Sequence, residues 1–150
     1  MSDLRELYQE VILDHNKNPR NFREITGPDQ QADGHNPLCG DNVTVYLRIT
    51  DDVITDISFL GSGCAISKAS ASLMTAELSG KTVEQARRIF NTFHDLVTTG
   101  QVDGADEETL GKLAVFGGVS EYPARVKCAS LPWHTAAAAL NGQNKDVSTE

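Results

Sequence analysis

The sequence predicts an α+β fold: a small antiparallel sheet of about three strands packed on several helices, with a metal site at one end of the sheet. Three observations carry that expectation. Residues 43–59 alternate apolar and polar side chains on both sides of Asp51-Asp52, and two runs of period two joined by a tight turn make an antiparallel hairpin with one face on a core. Apolar residues at helical spacing precede and follow that hairpin. The only three cysteines are Cys39, Cys64 and Cys128, and the hairpin's pairing brings Cys39-Gly40-Asp41 and Gly61-Ser62-Gly63-Cys64 to one end.

In chain order, Leu4, Leu7, Tyr8, Val11 and Ile12 form the stripe of a first helix that ends near Asn18-Pro19. Residues 19–37, punctuated by Pro19, Pro28 and Pro37, read as loop with one short strand before Gly34. After the hairpin, Ile66, Ala69, Leu73 and Ala76 mark a second helix up to Gly80, with Cys64 at its N-terminus. Thr82-Val83-Glu84-Gln85 has the form of a capping box, followed by Ala86, Ile89, Phe90, Phe93 and Val97 on one face of a third helix. Residues 98–123, rich in glycine, read as a surface excursion with a short helical segment from Asp106 to Val115. Pro132 suits the first turn of a last helix carrying Trp133, Ala136, Ala137 and Leu140. The expected organisation is a single domain over 1–142 and a polar, disordered tail over 143–150.

Acidic residues outnumber basic ones by 21 to 13, for a net charge of −8. That balance argues against nucleic acid or an anionic membrane as partner and favours a basic protein. No apolar run approaches the ~20 residues of a membrane span, and the N-terminus lacks the basic and apolar regions of a signal peptide. The expected location is cytoplasmic. There, cysteines serve more often as metal ligands or reactive groups than as disulfides.

Three cysteines cannot pair off completely, whereas three thiolates and one carboxylate complete a tetrahedral zinc site, and Asp41 is the carboxylate at hand. Cys39 and Asp41 flank a glycine, so one turn aims both at one ion, and Cys64 and Cys128 close the shell. A helix N-terminus favours the Cys64 thiolate through its unpaired N–H groups and dipole. Such a site carries a net formal charge of about −2, which Arg125 and Lys127 are positioned to offset. Plainer roles stand beside each of these: a cysteine as a small buried hydrophobe, Asp41 as a turn cap, Arg125 as a solvated cation. His35, His94 and His134 are ligands by type only, and Gly61-Ser62-Gly63 lacks the length and the lysine of a phosphate loop.

Taken together, Asn36-Pro37-Leu38-Cys39-Gly40-Asp41, Gly61-Ser62-Gly63-Cys64-Ala65-Ile66-Ser67 and Arg125-Val126-Lys127-Cys128-Ala129 resemble the motifs of the U-type iron–sulfur cluster assembly proteins, the IscU and NifU N-terminal type. The resemblance runs from Leu7 to Leu140. Lys127 stands where general scaffolds of the family carry histidine, and the third cysteine follows the second by 64 positions, a longer interval than theirs. Both features are similar to the SUF-type branch, the SufU proteins, which are zinc-dependent sulfurtransferases. The resemblance implies Zn2+ held by Cys39, Asp41, Cys64 and Cys128, with Cys39 as the catalytic sulfur (persulfide) acceptor and Arg125 as a supporting catalytic residue. It implies a cysteine desulfurase (SufS-type) as donor, a histidine of which exchanges with Cys39 on the metal, and downstream iron–sulfur assembly proteins as recipients. The alternative it leaves open is a scaffold on which Cys39, Cys64 and Cys128 hold a transient 2Fe–2S cluster and so bind iron. A structural zinc module that only docks proteins is a third reading.

Overall fold

The computed structural model describes residues 2–37, 40–100, 102, 110–142 and 146–148. Helix α1 (Ser2–Lys17) is followed by strands β1 (Gln30–Asn36), β2 (Asp41–Thr50) and β3 (Val53–Ser62), then helices α2 (Ala65–Leu78) and α3 (Val83–Thr99). A 3₁₀ helix (Gly111–Glu121) leads into α4 (Pro123–Leu140), and a short β4 (Asp146–Ser148) completes the described chain. The sheet order is β3-β2-β1-β4, antiparallel except for the parallel β1–β4 edge.

The hairpin forms as its alternation dictates. Asp51 and Asp52 both take positive φ, 52° and 62°, as the two central residues of a two-residue turn matched to strand twist require. Val43, Val45, Leu47, Ile57 and Phe59 turn into the core. At α3 the capping box is complete: Thr82 Oγ1 accepts from the Gln85 N–H at 3.1 Å, and Gln85 Oε1 accepts from the Thr82 N–H at 2.9 Å. The expected short strand is β1, which runs through Gly34. A Cβ there would collide with the Thr135 side chain and sit 3.1 Å from Leu131, so the glycine lets α4 lie directly against the sheet.

Two expectations need correcting. Residues 98–123 are not wholly a surface excursion: Leu110, Leu113, Phe116 and Val119 are buried, spaced by three. A 3₁₀ helix has three residues per turn, so that spacing makes one inward stripe, and Phe116 meets Phe93 edge-on with centroids 5.6 Å apart. Of the expected segment Asp106 to Val115, residues 106–109 lie outside the described residues. The last helix begins at Pro123, which occupies the tolerated first turn, and Pro132 lies inside it. The backbone bond that Pro132 cannot donate would go to the Cys128 carbonyl, and burial of Leu131, Trp133, Ala136 and Ala139 outweighs the loss. Asp146–Ser148 pair with Asp33–His35; an edge strand's outward N–H and C=O groups are a template for such pairing.

Among the described residues, no helix is long and apolar enough to cross a membrane.

Candidate metal centre

Asp41 opens β2, Cys64 caps α2 and Cys128 lies in the second turn of α4. One carboxylate oxygen and the two sulfur atoms all lie within 4.8 Å of one another. Elements distant in sequence thus meet at one end of the sheet, where the hairpin ends. In the β2–β3 register Asn42 pairs with Ser62, and Asp41 and Gly63 lie just beyond that pair. A Cβ on Gly63 would collide with the Asp41 carboxylate, so the close approach depends on glycine there.

The two oxygens of Asp41, itself buried, do different things. Oδ1 accepts from the Cys64 N–H at 2.8 Å, fixing the start of α2, while Oδ2 faces Cys64 Sγ at 3.8 Å. Cys64 Sγ also accepts from the Ser67 N–H at 3.4 Å, the N-cap role that oxygen side chains usually fill. Cys128 is fully buried; its Sγ lies 3.6 Å from the Ala124 carbonyl oxygen one turn earlier and 4.0 Å from Asn36 Nδ2. Ser70 on α2 steadies this turn of α4, donating to the Ala129 carbonyl at 2.6 Å while accepting from Trp133 Nε1 at 3.1 Å.

Around zinc, a tetrahedron of sulfur and oxygen donors places neighbouring ligand atoms roughly 3.5–3.8 Å apart. The observed Asp41–Cys64 spacing of 3.8 Å fits that ion, and two sulfurs with one carboxylate are donors it accepts.

Cys39 lies outside the described residues. Gly40, next to it in the chain, donates its N–H to the Asn36 carbonyl at 2.8 Å. Arg125 is exposed on the first turn of α4, and Lys127 is half-buried beside Cys128. Among the described residues no histidine joins the cluster. His94 and His134 instead meet each other beside Phe90, with ring centroids 5.9 Å apart. Burial, and secondarily the charge of His94, holds the His134 imidazole below its ordinary pKa. Sequence reasoning missed the roles of Gly63, the Ser67 N–H and Asn36. Asn36 and Gly63 stood in the quoted motifs, but only contacts across the fold assign them a task.

Residues 7–129 match the family described as the NifU-like N terminal domain. The chain belongs to that family. Over 132 residues, covering 88% of each chain, this NifU-like domain is 40% identical to the zinc-dependent sulfurtransferase SufU of Bacillus subtilis. It is 36% identical over 140 residues to the iron–sulfur cluster assembly scaffold protein IscU of Streptococcus pyogenes serotype M1, covering 93% of this chain and 86% of that one. The crystal structure of FiSufU from Fervidobacterium islandicum AW-1, assigned as an assembly scaffold for the SUF system, matches with a TM-score of 0.83 and 36% identity, covering 90% of this chain and 97% of that one. The likeness fits the SufU branch.

Proposed function

We propose that this NifU-like domain accepts sulfane sulfur on Cys39 from a cysteine desulfurase, at a zinc site formed by Cys39, Asp41, Cys64 and Cys128, and hands it on in iron–sulfur cluster assembly. The observation that carries the reading is the convergence of Asp41, Cys64 and Cys128, with Cys39 two residues from Asp41 in the chain. When bound, zinc would keep the thiols ionised near neutral pH and, having no ligand-field preference, would permit one ligand to be exchanged for another.

The transfer is a displacement at sulfur. The Cys39 thiolate attacks the terminal sulfur of the donor's persulfide, one S–S bond forms as the donor's breaks, and the donor cysteine leaves as a thiolate. No oxidant or reductant is consumed. The chain's own residues divide the remaining work: Asp41 Oδ1 pins the Cys64 backbone, Cys64 and Cys128 stay as fixed soft donors, and Arg125 offsets the anionic donor set beside the persulfide. Sulfur from this domain passes to downstream assembly proteins.

A second reading keeps the same ligands and changes the cargo, because thiolates also hold 2Fe–2S clusters and the Streptococcus pyogenes relative is named as a scaffold. Desulfurase turnover and anaerobic iron–sulfide reconstitution, run on the same preparation, separate the two. Sulfur transfer predicts stimulation of the desulfurase by the zinc-loaded chain, abolished in Cys39→Ser. A chain that gives no stimulation, yet exchanges zinc for a stable cluster and passes it to an apo-acceptor, would show the scaffold reading to be right instead.

A further inference from the structure

We infer that Asn36 is a positioning residue that fixes Cys128 as the immobile sulfur of the site, through an N–H···S hydrogen bond made from the far end of β1. This rests on the zinc reading above.

Asn36 closes β1, where its backbone pairs in register with Asp41, and it is 1% exposed. Its two halves serve different parts of the centre. The backbone carbonyl accepts from the N–H of Gly40 at 2.8 Å, the residue next to Cys39 in the chain. The side-chain amide points to the other element, with Nδ2 4.0 Å from Cys128 Sγ. One residue therefore ties Gly40, the chain neighbour of the proposed exchanging cysteine, to the helix of a cysteine proposed to stay.

The chemistry of an amide donor suits that division. An N–H directed at a thiolate draws electron density from the sulfur, lowers its nucleophilicity and restricts its rotamer. Second partners of this kind orient metal ligands, and their loss typically costs about ten- to a hundredfold in metal affinity. The other cysteine sulfur among the described residues receives a different donor, the Ser67 backbone N–H, which belongs to the helix itself rather than to a side chain. Cys128, buried and one turn beyond Ala124, receives an amide donor from a side chain on another element. Asn36 thus blunts and holds the Cys128 thiolate.

The test replaces Asn36 by leucine, which keeps the branched shape and removes the donor, and by alanine in case leucine folds poorly. Zinc affinity is read by chelator competition, and the thiolates are read through the ligand-to-metal charge-transfer band of the Co2+-substituted chain. The expected result is an affinity about ten- to a hundredfold weaker, with the charge-transfer band moved to lower energy. A tetrahedral d–d envelope should remain, since Asn36 is not itself a ligand. A merely structural role would lower the melting temperature and leave the band where it is. Wild-type chain that binds one zinc, alongside variants matching it within twofold in affinity and in band position, overturns the role of Asn36 and spares the zinc reading. Wild-type chain that binds no zinc overturns both.

Discussion

The two halves of α4 are held by different physics. Its first half carries Arg125 and Cys128 and is fixed by directional polar contacts: Asn36 toward the Cys128 sulfur, and Ser70 on the Ala129 carbonyl. Its second half is fixed by shape, with Trp133 stacked on Phe93 at 4.5 Å and Phe93 in turn edge-on to Phe116. Close-packed apolar contacts lose a great deal when one side chain is deleted but are indifferent to metal. A donor set of two sulfurs and a carboxylate gathers anionic groups with little apolar surface between them, and metal binding there contributes to folding. Mutations of the apolar half should therefore cost stability while leaving zinc per folded chain unchanged, whereas mutations of the donor set should cost zinc affinity and, with it, the metal's share of stability.

The largest effect tests the apolar half. Phe93→Ala removes the ring between Trp133 and Phe116 and should cost about 3–5 kcal/mol of unfolding free energy, measured by chemical denaturation. Zinc per folded chain should stay at the wild-type level; a proportional loss of metal would mean that the halves are not separable.

Next, Gly63→Ala attacks the metal half without touching a proposed ligand. The added methyl collides with the Asp41 carboxylate and displaces it, so zinc affinity should fall by about ten- to a hundredfold. Chelator competition reads the change, and unaltered affinity would show that Asp41 need not hold its observed place.

The smallest effect concerns pH. Burial lowers the His134 pKa below its unfolded value of about 6.5, so the unfolded chain takes up the proton more readily than the folded one. That contribution to stability is complete above the unfolded pKa and is lost as pH falls below about 6.5 toward the folded pKa. His134→Gln should flatten the decline of melting temperature between pH 7 and 5, relative to wild type. An unchanged slope would show that His134 accepts its proton in place.

The hairpin, α1, α2 and the capping box of α3 were legible because their signals are local: an alternation, a stripe, a cap three residues from its partner. The meeting of Asp41 with Cys64 was legible too, since antiparallel pairing alone brings residues 41 and 64 together. The 3₁₀ helix was hidden because Leu110, Leu113, Phe116 and Val119 recur at three rather than at the mixed three and four of an α-helix, amid glycines that suggested a loop. Pro132 pointed to a helix start by local rule, and only packing on β1 and α2 shows why a proline is carried inside the helix. Asn36 is within the quoted motif, yet its partner lies 92 positions away, beyond any spacing argument. The parallel pairing of β4 likewise depends on which edge of the sheet is open.

The most direct test of the account is to map where sulfur arrives. The zinc-loaded chain would be incubated anaerobically with a cysteine desulfurase and L-cysteine, alkylated, digested and analysed by mass spectrometry, with Cys39→Ser treated in parallel. The account predicts one added sulfur atom on the peptide carrying Cys39, none on those carrying Cys64 or Cys128, and none anywhere in Cys39→Ser. Added sulfur on Cys64 or Cys128, or its persistence in Cys39→Ser, would contradict it.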